Sequence, residues 1–321
     1  MSTNATATAT ATPAGFGGNL PAQGSTAPGE ARIFDRGYRR YEGERKGVRG
    51  AFFTLYLATL QRILGLRRGA KAKILPVLTI GIAYLPAIVV IGVSVMFPKR
   101  LDTFLPDYHE YYGTVITAIL LFVAFVAPEA LCPDRRYKIL GVYLSSPLSR
   151  LSYVLAKFAA VFTVLCAVTL GPVVLLVIAK SFLDVGPALV DLPVLLLRVF
   201  GAGIALSAFF SAVSLAIASM TDRKGFASAG FVLLSIVTQV VGAVLGRLGT
   251  GFSESRRFSE IKPGILVSVV RTPSIFAEQI YGKTVEQISF GLVPTMVAFF
   301  AMLFVALAVL VLRYRKLEVT R

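Results

Sequence analysis

Six apolar runs, each long enough to cross a lipid bilayer as a helix, constrain this chain more than any other feature. Ile74–Phe97, Gly113–Leu131, Ala156–Ala179, Val194–Met220, Phe226–Leu248 and Phe290–Leu312 hold about 19 to 27 residues each, against roughly 20 needed to span the hydrocarbon core. None alternates with the period of two that a membrane β-strand requires. Hydrophobic residues form 55% of the chain and charged residues only 16%, gathered in the gaps between runs. A soluble globular domain is nearer a quarter charged. The expected fold is therefore an all-α integral membrane protein with six transmembrane helices, its transmembrane domain covering residues 74–313.

Lysine and arginine set the expected topology. With the amino terminus inside, residues 32–73, 132–157, 223–224 and 313–321 carry 23 basic residues, and the opposite loops carry 8. Short cytoplasmic loops keep such an excess, so both termini and the loop between spans two and three are expected in the cytosol. The net charge of +16 then reports orientation and attraction to anionic lipids of the bilayer. A nucleic-acid partner is not expected, because no soluble basic module with interleaved aromatics is present.

The flanking segments divide in two. Residues 1–30, rich in Ala, Thr, Gly and Pro, lack the basic start and apolar core of a secretory signal and suggest a disordered cytosolic tail. Residues 31–73 interleave aromatic and basic side chains in IFDRGYRRYEGERKG, then turn apolar over Ala51–Leu66. Gln61 and Arg62 make that run too polar to span, so an amphipathic helix lying in the membrane interface is expected there, with Arg67, Arg68, Lys71 and Lys73 toward headgroups. A last cytosolic tail covers 314–321. The long outer loop, Gly249–Ser289, holds Thr272-Pro273 as a helix start and Gly282 as a stop, with Ile275, Phe276 and Ile280 on one face. Short helices dipping into the outer mouth are expected.

Within the spans, Pro86, Pro172 and Pro294 are potential kinks. Gly201, Ala205, Ala208, Ala212 and Ala216 form a small-residue stripe, and Gly242 and Gly246 a second, of the kind that lets helices approach closely. Core packing is the first reading of these stripes and a dimer seam the second. Phe122, Phe125, Phe209 and Phe210 would suit a hydrophobic cargo, or pack between helices.

The loop from Glu129 to Lys157 is too patterned for a connector. It carries Arg135, Arg136, Lys138, Arg150 and Lys157, while Tyr137, Leu140, Leu144 and Leu148 recur at helical spacing. A short amphipathic helix there could hand force from a soluble partner to the spans.

Chemistry is sparse elsewhere. No phosphate-cradling G-x-x-x-x-G-K-[ST] occurs, so the chain is not expected to be an enzyme or to hold a nucleotide or other cofactor. His109 is the sole histidine and cannot build a zinc site with its neighbours. Cys132 and Cys166 are not placed to pair. The runs lack a central Asp, Glu or Lys, which a carrier driven by protons or sodium usually needs, and Glu129 and Arg198 sit near span ends, where snorkelling accommodates them. The energy source is expected elsewhere.

This arrangement resembles the membrane-spanning subunit of an ABC-2 type ABC transporter. The resemblance is carried by IFDRGYRRYEGER, by Ala51–Leu66, and by Glu129 to Lys157, where YLSSPLSRLSYVLAK is similar to the family's small-residue and proline step, Ser-Arg, an aromatic and a lysine leading into span three. It implies a permease of an exporter in a cell's inner membrane, paired with a second permease copy and with cytosolic ABC ATPase subunits that bind ATP and magnesium. Ala51–Leu66 would be its connecting helix, the loop after span two its coupling helix, and the outer loop its short re-entrant helices. The residues so assigned to ATPase coupling are Glu129, Asp134, Arg135, Arg136, Tyr143, Pro147, Ser149, Arg150, Tyr153 and Lys157, with Gly242 and Gly246 at the dimer seam. The alternative is a membrane scaffold or sensor that recruits cytosolic partners and transports nothing.

Overall fold

Helix formation follows from the apolar runs: a chain in lipid must satisfy its backbone groups internally, and an uninterrupted helix does so. The structure, a computed structural model, describes residues 47–66, 69–96, 108–182, 192–248, 263–281 and 291–316. The expectations for residues 1–46, for Arg67 and Arg68 and for most of the outer loop lie outside the described residues. All regular structure among the described residues is helical. The order is α1 (Gly47–Ile63), α2 (Ala70–Met96), α3 (Tyr108–Leu121), a π turn (Phe122–Val126), a 3-10 turn (Ala127–Ala130), α4 (Cys132–Arg136), α5 (Leu140–Leu144), α6 (Arg150–Phe182), α7 (Leu192–Ala218), α8 (Lys224–Leu248), a 3-10 turn (Pro263–Val267), α9 (Arg271–Ile280) and α10 (Leu292–Lys316).

Six of these stretches are long and apolar enough to cross a membrane: Ala70–Met96, Tyr111–Arg136, Arg150–Phe182, Leu192–Ala218, Lys224–Gly246 and Leu292–Arg315. The chain is a multi-pass membrane protein. Several helices outrun the apolar segments that announced them, because backbone hydrogen bonding continues where hydropathy stops. Thus α6 runs from Arg150 to Phe182 rather than from Ala156 to Ala179 and takes in Lys180.

The second span is not one continuous α-helix. Pro128 has no N–H to give the carbonyl four residues back, and the ladder opens there. Ala127 N–H reaches five residues back to the Phe122 carbonyl, and Leu131 N–H only three back to Pro128. Such π and 3-10 turns rotate everything beyond them, and here they reorient Asp134 and Arg135. Pro76, Pro86 and Pro172 lie inside continuous helices. Pro294 falls in the first turn of α10, where its missing donor costs nothing.

The second and third spans form the centre, with 67% and 50% of their apolar windows buried; for α2, α8 and α10 the share is 22%. Those three turn residues such as Val77, Leu85, Leu233, Val240, Val297 and Phe304 outward, a surface suited to lipid rather than water. Polar side chains tie spans internally, as lipid favours: Thr169 Oγ1 and Ser207 Oγ lie 2.8 Å apart between α6 and α7, and Tyr111 donates to the Ala83 carbonyl at 2.6 Å.

Small residues permit close approach at other places than the stripe suggested. On α7, Gly201 is exposed and the tight contact is at Gly203, where an added Cβ would collide with Leu170. Ala212 and Ala216 are buried. Gly242 and Gly246 pack within the chain. A Cβ on Gly242 would stand 3.1 Å from the Gly264 carbonyl oxygen, and one on Gly264 would strike the Gly246 backbone. This close contact, the core-packing reading of the stripe, is made with the 3-10 turn of the same chain, because three glycines leave room for two backbones to meet. Phe209, Phe210 and Phe122 are also core: Phe209 stacks on Phe299, and Phe276 of α9 stacks on Phe299 at 4.4 Å. Only Phe125 of the four is exposed.

Candidate functional site

The end of span two gathers ion pairs to several other helices. Asp134, on α4, is 1% exposed, and a carboxylate so buried must be paired. One oxygen accepts from the guanidinium of Arg62 on α1. The other accepts from Lys157 Nζ at 2.6 Å and from Tyr153 Oη at 2.9 Å, both on α6. Lys157 is itself 1% exposed. A single carboxylate thus joins α1, α4 and α6.

Aromatic rings wall this cluster off from water. Tyr153 lies between Tyr143 and Tyr314, with ring centroids 5.7 Å away on each side. Lys157 Nζ sits 5.5 Å from the Tyr153 ring and 5.9 Å from that of Tyr143, positions where the ring quadrupole attracts a cation. Tyr314 brings in α10. Burial works against the charge on Arg62, but Asp134 outweighs it and holds the guanidinium above its ordinary pKa. Burial and the nearby Asp134 charge raise the Tyr143 phenol, with Arg62 opposing.

Two further ion pairs extend the network. Arg135 Nε meets Asp222, in the turn between α7 and α8, at 2.8 Å. Glu129 pairs with Lys224 at the start of α8. Arg150 donates to the Arg315 carbonyl at 3.0 Å and so ties α6 to the end of α10. Ser149 caps α6, its Oγ accepting from the Ser152 N–H at 3.1 Å, as N-cap serines do.

Of the expected coupling residues, Asp134, Tyr143, Tyr153 and Lys157 form one cluster, while Glu129, Arg135 and Arg150 reach from the same end to other helices. Arg136 and Pro147 are exposed and join none of these contacts. Arg136, Tyr137, Lys138 and Val142 make an outward face, Tyr137 being 67% and Val142 69% exposed. The expected amphipathic helix is shorter than its pattern implied. Between Tyr137 and Leu148 only Leu140–Leu144 is α-helical, and Lys138 turns the chain with φ of 53°, which breaks the periodicity at Tyr137. Gly242 and Gly246 lie about five and about six turns along α8 from Lys224.

Sequence reasoning missed Arg62, Asp222, Lys224, Tyr314 and Arg315 as members of this network. Arg62 offered a signal, a lone cation within an apolar run; the others required tertiary placement. At the far end of α7, Arg198 donates to the Tyr281 carbonyl at 2.9 Å. It holds the end of α9, alongside the Tyr112–Tyr281 ring contact at 5.9 Å.

The charges gathered here are paired with one another across helices. No family model matches the chain, and no curated protein matches it either.

Proposed function

We propose that this chain is the permease subunit of an ABC-2 type exporter, driven by a separate cytosolic ATPase that docks on the segment between spans two and three. The observation that carries this reading is the buried Asp134 cluster. Force applied at the exposed Arg136–Val142 face would pass through Asp134 to α1 and α6, and through Arg135 and Glu129 to the α7–α8 turn and α8. Such pairing holds the segment firmly to the helices, since breaking a buried pair costs about 3–5 kcal/mol.

In this reading both termini are cytosolic, α1 lies in the inner interface of a cell's inner membrane as a connecting helix, and α4–α5 is the coupling helix. The Pro263–Val267 turn and α9 are short re-entrant helices at the outer mouth. A second permease copy completes the path, with ATP and magnesium held by the ATPase. Because Gly242 and Gly246 are filled from within the chain, the seam between copies lies away from them.

The test reverses the two exposed cations of the docking face. Arg136→Glu with Lys138→Glu should abolish co-purification of an ABC ATPase subunit while leaving membrane insertion and thermal stability intact. If the partner still co-purifies and transport persists, the docking assignment fails. If no ATPase co-purifies with the unsubstituted protein in any mild detergent, the scaffold reading replaces it.

A further inference from the structure

A cavity of about 320 Å³ lies between the start of α6 and the end of α10, lined by Arg150, Leu151, Val154, Val311, Tyr314 and Arg315, with Ser149 beside them. Its chemistry is divided along its depth. Val154 is four residues into α6 from Arg150, and Val311 four residues into α10 from Arg315. Residues so spaced share a helix face, and the two helices meet with Arg150 bonded to the Arg315 carbonyl. The two arginines therefore lie one helical turn nearer the helix ends than the apolar pair Val154 and Val311. That is the layout of a charged headgroup above a hydrocarbon chain.

Charge singles this cavity out. Arg62, Arg135, Lys157 and Lys224 at the same end of the bundle each have a carboxylate partner. Arg150 and Arg315 have none among the described residues, and no acidic side chain lines the cavity. A second cavity of about 310 Å³ beside α2 carries Arg62 and Lys71 but also Glu129, so its charge is opposed. The start of α6, capped by Ser149, adds the positive end of a helix dipole.

We infer that the Arg150–Arg315 cavity binds an anionic phospholipid, the guanidiniums holding its phosphate and one acyl chain lying along Leu151, Val154 and Val311. Guanidinium groups match phosphate oxygens in paired geometry, and basic pockets between transmembrane helices select anionic headgroups. The site needs only that the chain spans a bilayer, so it stands apart from the transport proposal. It also assigns Arg150 to lipid rather than to a soluble partner.

The chain contains no tryptophan, so a single Val311→Trp substitution gives a unique fluorophore on the cavity floor. The full-length variant would be placed in phosphatidylcholine vesicles holding a minor fraction of brominated phosphatidylglycerol, or the same fraction of brominated phosphatidylcholine. Each basic residue near a headgroup contributes about 5-fold in affinity for an anionic lipid, so the pair predicts a preference of about 25-fold for the brominated anionic lipid. Arg150→Gln with Arg315→Gln should bring the two lipids to parity, and Lys71→Gln should change nothing. Should Val311→Trp fail to fold, Leu151→Trp, at a position already 54% exposed, carries the same measurement. Equal quenching by both lipids in the protein with both arginines overturns the site. So does loss of the preference on adding inorganic phosphate at matched ionic strength, since a free anion would then be the ligand.

Discussion

Asp134→Asn should destabilise this protein more than any other single charge change in the described residues, and a second mutation should partly repair it. The reason is charge arithmetic. Two cations, Arg62 and Lys157, face one buried carboxylate. Asparagine removes the only negative charge and strands Lys157, which is 1% exposed, so the expected cost is about 3–5 kcal/mol. Lys157→Met breaks the same 2.6 Å contact but leaves Asp134 paired with Arg62 and hydrogen-bonded by Tyr153, so it should cost only a charged hydrogen bond, about 1.5–3 kcal/mol. The double variant leaves Arg62 alone, and its side chain is 23% exposed and can turn to water. The double variant should therefore be more stable than Asp134→Asn. Cys132, fully buried beside the cluster, suits a thiol-reactive dye that reports thermal unfolding in detergent. The apparent midpoint is the proper readout, because unfolding of such proteins is seldom reversible. Midpoints in the order wild type, Lys157→Met, double, Asp134→Asn are expected. A double variant less stable than Asp134→Asn, or an Asp134→Asn that melts with wild type, would refute the hub.

Gly264→Ala should lower the melting midpoint by the equivalent of about 1–3 kcal/mol, the usual cost of overpacking, because its Cβ would meet the Leu245–Gly246 backbone; Gly92→Ala, with nothing within 4 Å, should not. Leucine at Gly242 and Gly246 should likewise unfold the protein earlier without changing its oligomeric state in mild detergent, and dimer loss at unchanged stability would restore the seam there. Arg198→Met removes the donor to the Tyr281 carbonyl, and faster amide exchange confined to residues 271–281 is the expected result; unchanged exchange would show that the aromatic stack alone holds α9.

Hydropathy made the six spans legible, since length and apolarity are all that crossing a bilayer demands. It could not place their ends: the third run covers Ala156–Ala179 by composition, yet the helix runs from Arg150 to Phe182, with Lys157 neutralised by Asp134 inside the bundle. Pro128 was visible in the sequence, but that the helix would pass through a π turn and swing Asp134 toward α1 depends on where α1 and α6 lie. The patterned Glu129–Lys157 loop stood out through its basic residues, whereas Asp134 entered only through the family resemblance, because one Asp among five cations gives no sign that it is the buried centre. Gly242 and Gly246 announced close packing correctly in kind, and only the position of Gly264 shows with whom.

Site-directed photo-crosslinking from Val142 tests the central claim most directly. Val142 is 69% exposed on the proposed docking face and Phe182 is 85% exposed at the other end of α6, a 33-residue helix and hence ~50 Å away. In native membranes a crosslinker at Val142 should capture an ABC ATPase subunit, and one at Phe182 should not. Capture from Phe182 in place of Val142, or of no ATPase from either, would contradict the account.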